Sequence, residues 1–82
     1  MTTITFEFNG QLLRLAGAAT QAVSVPAPAT LAAALDALAV ARPELAAALA
    51  RCACAIGDRL ILRRDTLQGG ETVALLPPVA GG

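Results

Sequence analysis

The chain has no histidine, no lysine, no tryptophan and no tyrosine, and its only aromatic residues are Phe6 and Phe8. Without histidine, neither a Ser-His-Asp nor a Cys-His catalytic arrangement can be assembled. A metal site is equally short of ligands, because Cys52 and Cys54 are too few by themselves. Two phenylalanines make a poor stacking platform for bases. The six basic residues, all arginine, are spread along the chain and offset by six acids to a net charge of zero. Nucleic-acid binding normally leaves a basic patch or stripe, so no nucleic-acid partner is expected. Phosphate loops are missing too. There is no G-x-x-x-x-G-K-[ST] and no G-x-G-x-x-G, and Gly69-Gly70 precedes a strand, so it reads as a turn. The acids Glu7, Asp36, Glu44, Asp58, Asp65 and Glu71 are scattered, and nothing in their spacing pairs two of them for acid–base chemistry. No bound cofactor, no metal and no active site of its own are expected.

Long apolar runs are also lacking. Leu31–Ala50 comes nearest, but Asp36, Arg42, Pro43 and Glu44 interrupt it short of the roughly 18–20 residues a bilayer span needs. Met1-Thr2-Thr3 has neither the basic region nor the apolar stretch of a secretory signal. The expected location is the cytoplasm, with no membrane partner. Cys52 and Cys54 would share one side of a strand, which places them poorly for an unstrained disulfide. They are read as reduced packing residues. The absence of lysine is most simply a codon bias toward Ala and Arg. Its functional reading is that a carrier with an activated C-terminus avoids acylating its own amines.

What is present is one small domain of 82 residues, 56% of them apolar, with alanine supplying much of that share. A domain this small folds with little margin. Thr2–Phe8 alternates, with Ile4, Phe6 and Phe8 on one face, and predicts a strand. Asn9-Gly10 is a hairpin-type signal. Gln11–Leu15 either continues the strand or begins a loop, and Thr20–Val25 is a second strand. Thr30 is a plausible N-cap for a helix carrying Leu31, Leu35 and Leu38 and running to about Ala41, before Pro43. A second, shorter helix is expected over Pro43–Arg51. Strands follow at Cys52–Ile56, Arg59–Leu62 and Glu71–Leu76, with a turn at Gly57-Asp58 and a loop over Arg63–Gly70. The pattern predicts an α+β domain with the helix on one sheet face, and its crossover can join parallel neighbours, including the first and last strands at the centre.

The sequence closes on Pro77-Pro78-Val79-Ala80-Gly81-Gly82. Pro-Pro favours a stiff, extended exit. Glycine has no side chain and fits a slot too narrow for other residues. Six extended residues reach up to roughly 20 Å. A terminal carboxylate on Gly82 would have a pKa of roughly 3.3–3.7 and be a poor electrophile at neutral pH. Acyl or sulfur chemistry would require activation, for instance as an acyl-adenylate. Nothing in this chain could supply that, so an ATP-using partner is implied.

The stretch Ala74-Leu75-Leu76-Pro77-Pro78-Val79-Ala80-Gly81-Gly82 closely resembles the C-terminus of the molybdopterin synthase small subunits, which are ubiquitin-like sulfur carriers. Asp65-Thr66-Leu67-Gln68-Gly69-Gly70-Glu71-Thr72-Val73 resembles the loop that leads into that family's last strand. The chain departs from the family in having Leu75 and Leu76 where phenylalanine is frequent, and Gly57-Asp58 where the turn often carries asparagine. The resemblance implies a β-grasp (ubiquitin-like) domain over residues 1–76, with a mixed sheet and a helix packed on one face. It further implies an extended, flexible tail over residues 77–82.

By the same resemblance, an adenylating enzyme similar to ubiquitin E1 uses ATP to activate Gly82, and a sulfurtransferase converts it to a thiocarboxylate. The large synthase subunit then accepts the tail, and sulfur passes to a cyclic pyranopterin precursor. Gly82 would be the group carrier in the catalytic cycle and Gly81 would supply clearance. Leu75, Leu76, Pro77, Pro78, Val79 and Ala80 would meet the partner. Leu75 and Leu76 point opposite ways in a strand, so one of them should be core. A two-plus-two heterotetramer with the large subunit is implied, in which this chain is the non-catalytic, sulfur-donating component. The alternatives are a sulfur carrier for thiazole or cysteine synthesis, a ubiquitin-like protein modifier, and a binding module without tail chemistry.

Overall fold

The computed structural model describes residues 1–78, so Val79, Ala80, Gly81 and Gly82 lie outside the described residues. The alternating N-terminal segment forms β1, Thr2–Phe8, and buries Ile4, Phe6 and Phe8 on one face. The chain then makes helix α1, Gln11–Ala16, and returns as β2, Thr20–Val25, antiparallel to β1. This corrects the sequence reading of Gln11–Leu15 as strand or loop, and of Asn9-Gly10 as a hairpin signal. The physical reason is local. Gly10 sits at φ 58° and ψ −134°, and the N–H groups of Leu12 and Leu13 bond back to Asn9 O and Gly10 O, which starts a helix. Leu12 and Ala16, four apart, are then both buried, and Gly17 ends the helix in the left-handed region with its N–H on Leu13 O.

A two-residue strand, β3 (Ala29–Thr30), leads into α2, Leu31–Ala41, which stops where Pro43 predicted. Thr30 caps it, its Oγ1 accepting from the N–H of Ala33 at 3.1 Å. Leu31, Ala34, Leu35 and Leu38 form its buried stripe. The expected single helix over Pro43–Arg51 is instead a 3₁₀ turn, Pro43–Leu45, followed by one turn of α3, Ala46–Leu49. The last strands are β4 (Ala53–Ile56), β5 (Arg59–Ile61), β6 (Thr66–Leu67) and β7 (Thr72–Leu76). β6 lies inside the segment read as loop and pairs antiparallel with β3.

The main sheet has the order β2-β1-β7-β4-β5, with β1 and β7 parallel and the other pairs antiparallel. It is the mixed sheet expected, with the first and last strands side by side at its centre. Phe6, Ile4, Leu38, Val73 and Leu75 are among the fully buried side chains that join the sheet to the helices. Cys52 and Cys54 are free thiols within this core. Burial is the main influence raising both thiols above their ordinary pKa, which keeps them protonated packing groups. Among the described residues no polar or charged side chain is buried, so the core is wholly apolar.

Two arginines tie elements together at sites the sequence reading did not single out. Arg42 donates through Nε to Glu44 Oε2 at 2.8 Å, through Nη1 to Gln21 Oε1 and through Nη2 to Ala16 O, bridging α1, β2 and the 3₁₀ turn. The Arg42 hydrogen bond holds the Glu44 carboxyl below its usual value. Arg63 Nη2 donates to Leu49 O at 2.7 Å and Cys52 O at 3.1 Å, closing the end of α3.

Candidate functional site

The candidate site begins where β7 leaves the sheet. β7 is held on both sides, by β1 through Phe8↔Leu75 and by β4 through Cys54↔Leu75 and Ala53↔Leu76. Both neighbours therefore fix the direction in which Pro77 sets out. Pro77 is half-buried and Pro78 exposed. The root is fastened further by Asn9, whose Nδ2 donates to Leu75 O at 3.2 Å and to Glu7 O at 3.4 Å. Gly10 lies against the same point. A Cβ there would come within 3.2 Å of Pro77 Cγ, and its positive φ would strain any other residue. Asn9 and Gly10, read from sequence as turn residues, are thus the bracket for the tail root.

The pleat separates the two leucines. Leu75 is 0% exposed, so its expected place on a docking surface is corrected: it is core. Leu76 is 37% exposed and points to the opposite face. On that outer face the register sets Leu76 beside Ala53, and Ala74 beside Ala55, which in turn opposes Leu60. Leu60 is 69% exposed, and Leu62 just beyond β5 is exposed as well. Leu76, Ala53 and Leu60 are therefore exposed apolar groups on one face near the tail root, with half-buried Ala74 and buried Ala55 filling the sheet between them. Sequence reasoning singled out Leu76, Pro77 and Pro78 as candidates but not Leu60, because the register of β4 and β5 against β7 is set by tertiary pairing. The remaining expected site residues, Val79, Ala80, Gly81 and Gly82, lie outside the described residues.

Among the described residues there is no group of three or more His, Cys, Asp or Glu able to hold a metal, and no helix long and apolar enough to cross a membrane. Glu71, at the head of β7, uses both oxygens on backbone, accepting from the N–H of Gln68 and of Gly69 at 2.7 Å each. Partial burial is the largest single influence on its carboxyl and raises the pKa. The backbone donors, acting together, outweigh it and hold the value below the usual one. Glu71 is therefore committed to building the turn before β7.

A mixed sheet with parallel first and last strands and a helix on one face define the class: a ubiquitin-like β-grasp domain. More particularly, the chain belongs to the ThiS family, whose model matches residues 6–82, and is a ubiquitin-like sulfur carrier. No curated protein sequence matches it. Among solved structures it is similar to SAMP1 from Haloferax volcanii, with TM-score 0.87 and 27% identity over 98% of this chain and 99% of that one. It is similar to subunit 1 in the complex of subunits 1 and 2 of molybdopterin-converting factor from Helicobacter pylori, with TM-score 0.68 and 27% identity over 99% of this chain and 100% of that one. A putative molybdopterin converting factor subunit 1 from Pyrococcus furiosus shares the fold, with TM-score 0.83 and 16% identity over 96% of this chain and all of the other.

Proposed function

We propose that this chain is the sulfur carrier of molybdopterin synthesis, with the terminal carboxylate of Gly82 as the carrier group. The observation that carries the reading is the placement of Leu76-Pro77-Pro78 at the end of the central strand, on the same face as the exposed apolar groups Ala53 and Leu60. Exposed apolar groups gathered on one face of a small domain mark a partner surface. The Helicobacter pylori complex of subunits 1 and 2 supports a large subunit as that partner.

In the proposed cycle an E1-like enzyme adenylates Gly82 with ATP, releasing pyrophosphate. The persulfide of a sulfurtransferase then displaces AMP to give an acyl disulfide, and a second thiol reduces its S–S bond, leaving the thiocarboxylate and a protein disulfide. The large subunit receives the tail, and Gly81 passes through its narrowest point. Sulfur moves to the pyranopterin precursor, and the carboxylate is restored by water. The assembly is a two-plus-two heterotetramer in the cytoplasm. This domain contributes the handle and the docking face, and its partners contribute the catalysis.

A second reading is favoured by the likeness to SAMP1, which a second structure names small archaeal modifier protein 1. In that reading the activated Gly82 forms an amide with a lysine of a target protein. Intact mass separates the two. Incubation with the activating enzyme, MgATP and a sulfur donor should add about 16 Da, the difference between sulfur and oxygen at one covalent position. Adding the large subunit and pterin precursor should remove it. Amide adducts on lysine-bearing proteins, with no mass gain on the free chain, would establish the modifier instead. No gain, together with unchanged function after removal of Gly81-Gly82, would overturn both.

A further inference from the structure

On the side of the tail root away from Leu76 and Leu60, α1 and the segment Pro43–Leu49 enclose a groove of about 700 Å³. Pro77 and Pro78 form one of its walls, so it borders the tail root. Leu15 and Ala48 give it an apolar lining. Its charged groups are Arg14, Arg51 and Glu44. Glu44 is neutralised by Arg42 in the only salt bridge among the described residues. Arg14 and Arg51 are exposed, and among the described residues neither makes a side-chain hydrogen bond or ion pair. A chain with zero net charge thus carries two uncompensated guanidiniums on either side of an apolar groove at the base of its working end.

We propose that this groove seats an acidic, partly apolar segment of the enzyme that activates the tail, with carboxylates on Arg14 and Arg51 and apolar side chains against Leu15 and Ala48. The inference rests on the sulfur-carrier reading for the identity of that enzyme. Three observations favour a protein segment. The guanidiniums flank an apolar lining, which a free anion would not use. Their planar forks suit carboxylates in two-point contact. The groove is also continuous, through Pro77 and Pro78, with the surface that must be gripped when the tail is extended. Charge complementarity of this kind steers encounter and fixes orientation. It would set the rotation at which the domain presents its tail, while the exposed apolar groups around Leu76 supply the buried area.

The test is direct binding of the full chain to its activating enzyme by calorimetry, with the intact-mass assay run separately. R14E/R51E should weaken binding at least about tenfold at low salt, or ~1.4 kcal/mol. R14K/R51K, which keeps the charge, should stay within about threefold. Raising ionic strength from about 50 to 300 mM should weaken the wild type and leave R14E/R51E much less affected, because exposed pairs are screened within a Debye length. R14K/R51K should melt with the wild type, and R14E/R51E only slightly lower, because Arg14 lies in the last turn of α1, where a negative charge opposes the helix dipole. R14E/R51E binding within about twofold of wild type at low salt would overturn the proposal. So would MgATP alone shifting the Arg14 and Arg51 side-chain resonances, which would make the groove a nucleotide seat. Failure of the sulfur-carrier reading looks different: there the wild type gains no sulfur, whatever the arginine variants do.

Discussion

Leu75 and Leu76 are the same residue one step apart, yet one is 0% and the other 37% exposed. The first faces Cys54 and Phe8 in the core, and the second faces Ala53 on the outer sheet surface. The difference comes entirely from the pleat of β7, which turns successive side chains to opposite faces. It separates two tasks that a small domain must perform with one strand. The inner face holds the fold together, and the outer face carries the proposed docking residues. Composition cannot distinguish them, since both faces are apolar.

The strongest way to break the comparison is Leu75→Ala, which should cost about 2–5 kcal/mol in denaturant unfolding, because a buried leucine leaves a cavity. That is a large share of the stability of a domain this small. Phenylalanine at each of the two positions sharpens it. Leu75→Phe should overpack the core by about 1–3 kcal/mol, while Leu76→Phe should change stability by less than about 0.5 kcal/mol. Equal effects of the two phenylalanines would contradict the assignment of faces.

Glu71→Gln should cost about 1 kcal/mol at neutral pH, read by the same unfolding curves, because two backbone donors lose a charged acceptor. The folded carboxyl titrates below its unfolded value, so its stabilisation is full above about pH 4.3 and disappears as pH falls through the lower folded value. Wild type and Glu71→Gln should therefore converge in acid. A gap that stays constant down to pH 3 would show that the carboxylate charge plays no part.

Leu60→Asp combined with Leu76→Asp should cost about 1 kcal/mol by thermal melting, chiefly at Leu76, which is 37% exposed in β7. The same pair should weaken association with the large subunit at least about tenfold, since an apolar patch then carries unpaired charge. Unchanged association would remove the outer face from the docking surface.

Much of the frame was legible. β1 and β7 alternate cleanly, and Thr30 and Pro43 bracket α2 as their chemistry requires. What escaped depends on partners distant in sequence. β3 and β6 have two residues each and pair across the chain, Ala29 with Leu67, so neither carries a pattern of its own. α1 is six residues long and starts from a dipeptide that serves hairpins equally well. In the site, the strand-to-tail junction could be read directly. Leu60 could not, because only the pairing of β5 with β4 brings it into line with Leu76. The arginine links from Arg42 to Ala16 and from Arg63 to Leu49 were equally hidden, since backbone acceptors leave no signature in side-chain order.

The parallel pairing of β1 with β7 has a mechanical consequence. Parallel neighbours run in one direction, so traction on the end of β7 is opposed by the Thr5–Phe8 segment of β1 along the length of the shared ladder. The hydrogen bonds are loaded side by side in shear and do not peel open one at a time. A partner can therefore haul on the terminus while the domain behind it stays intact. In a force-extension measurement between Met1 and the chain end, rupture should come as one high-force event.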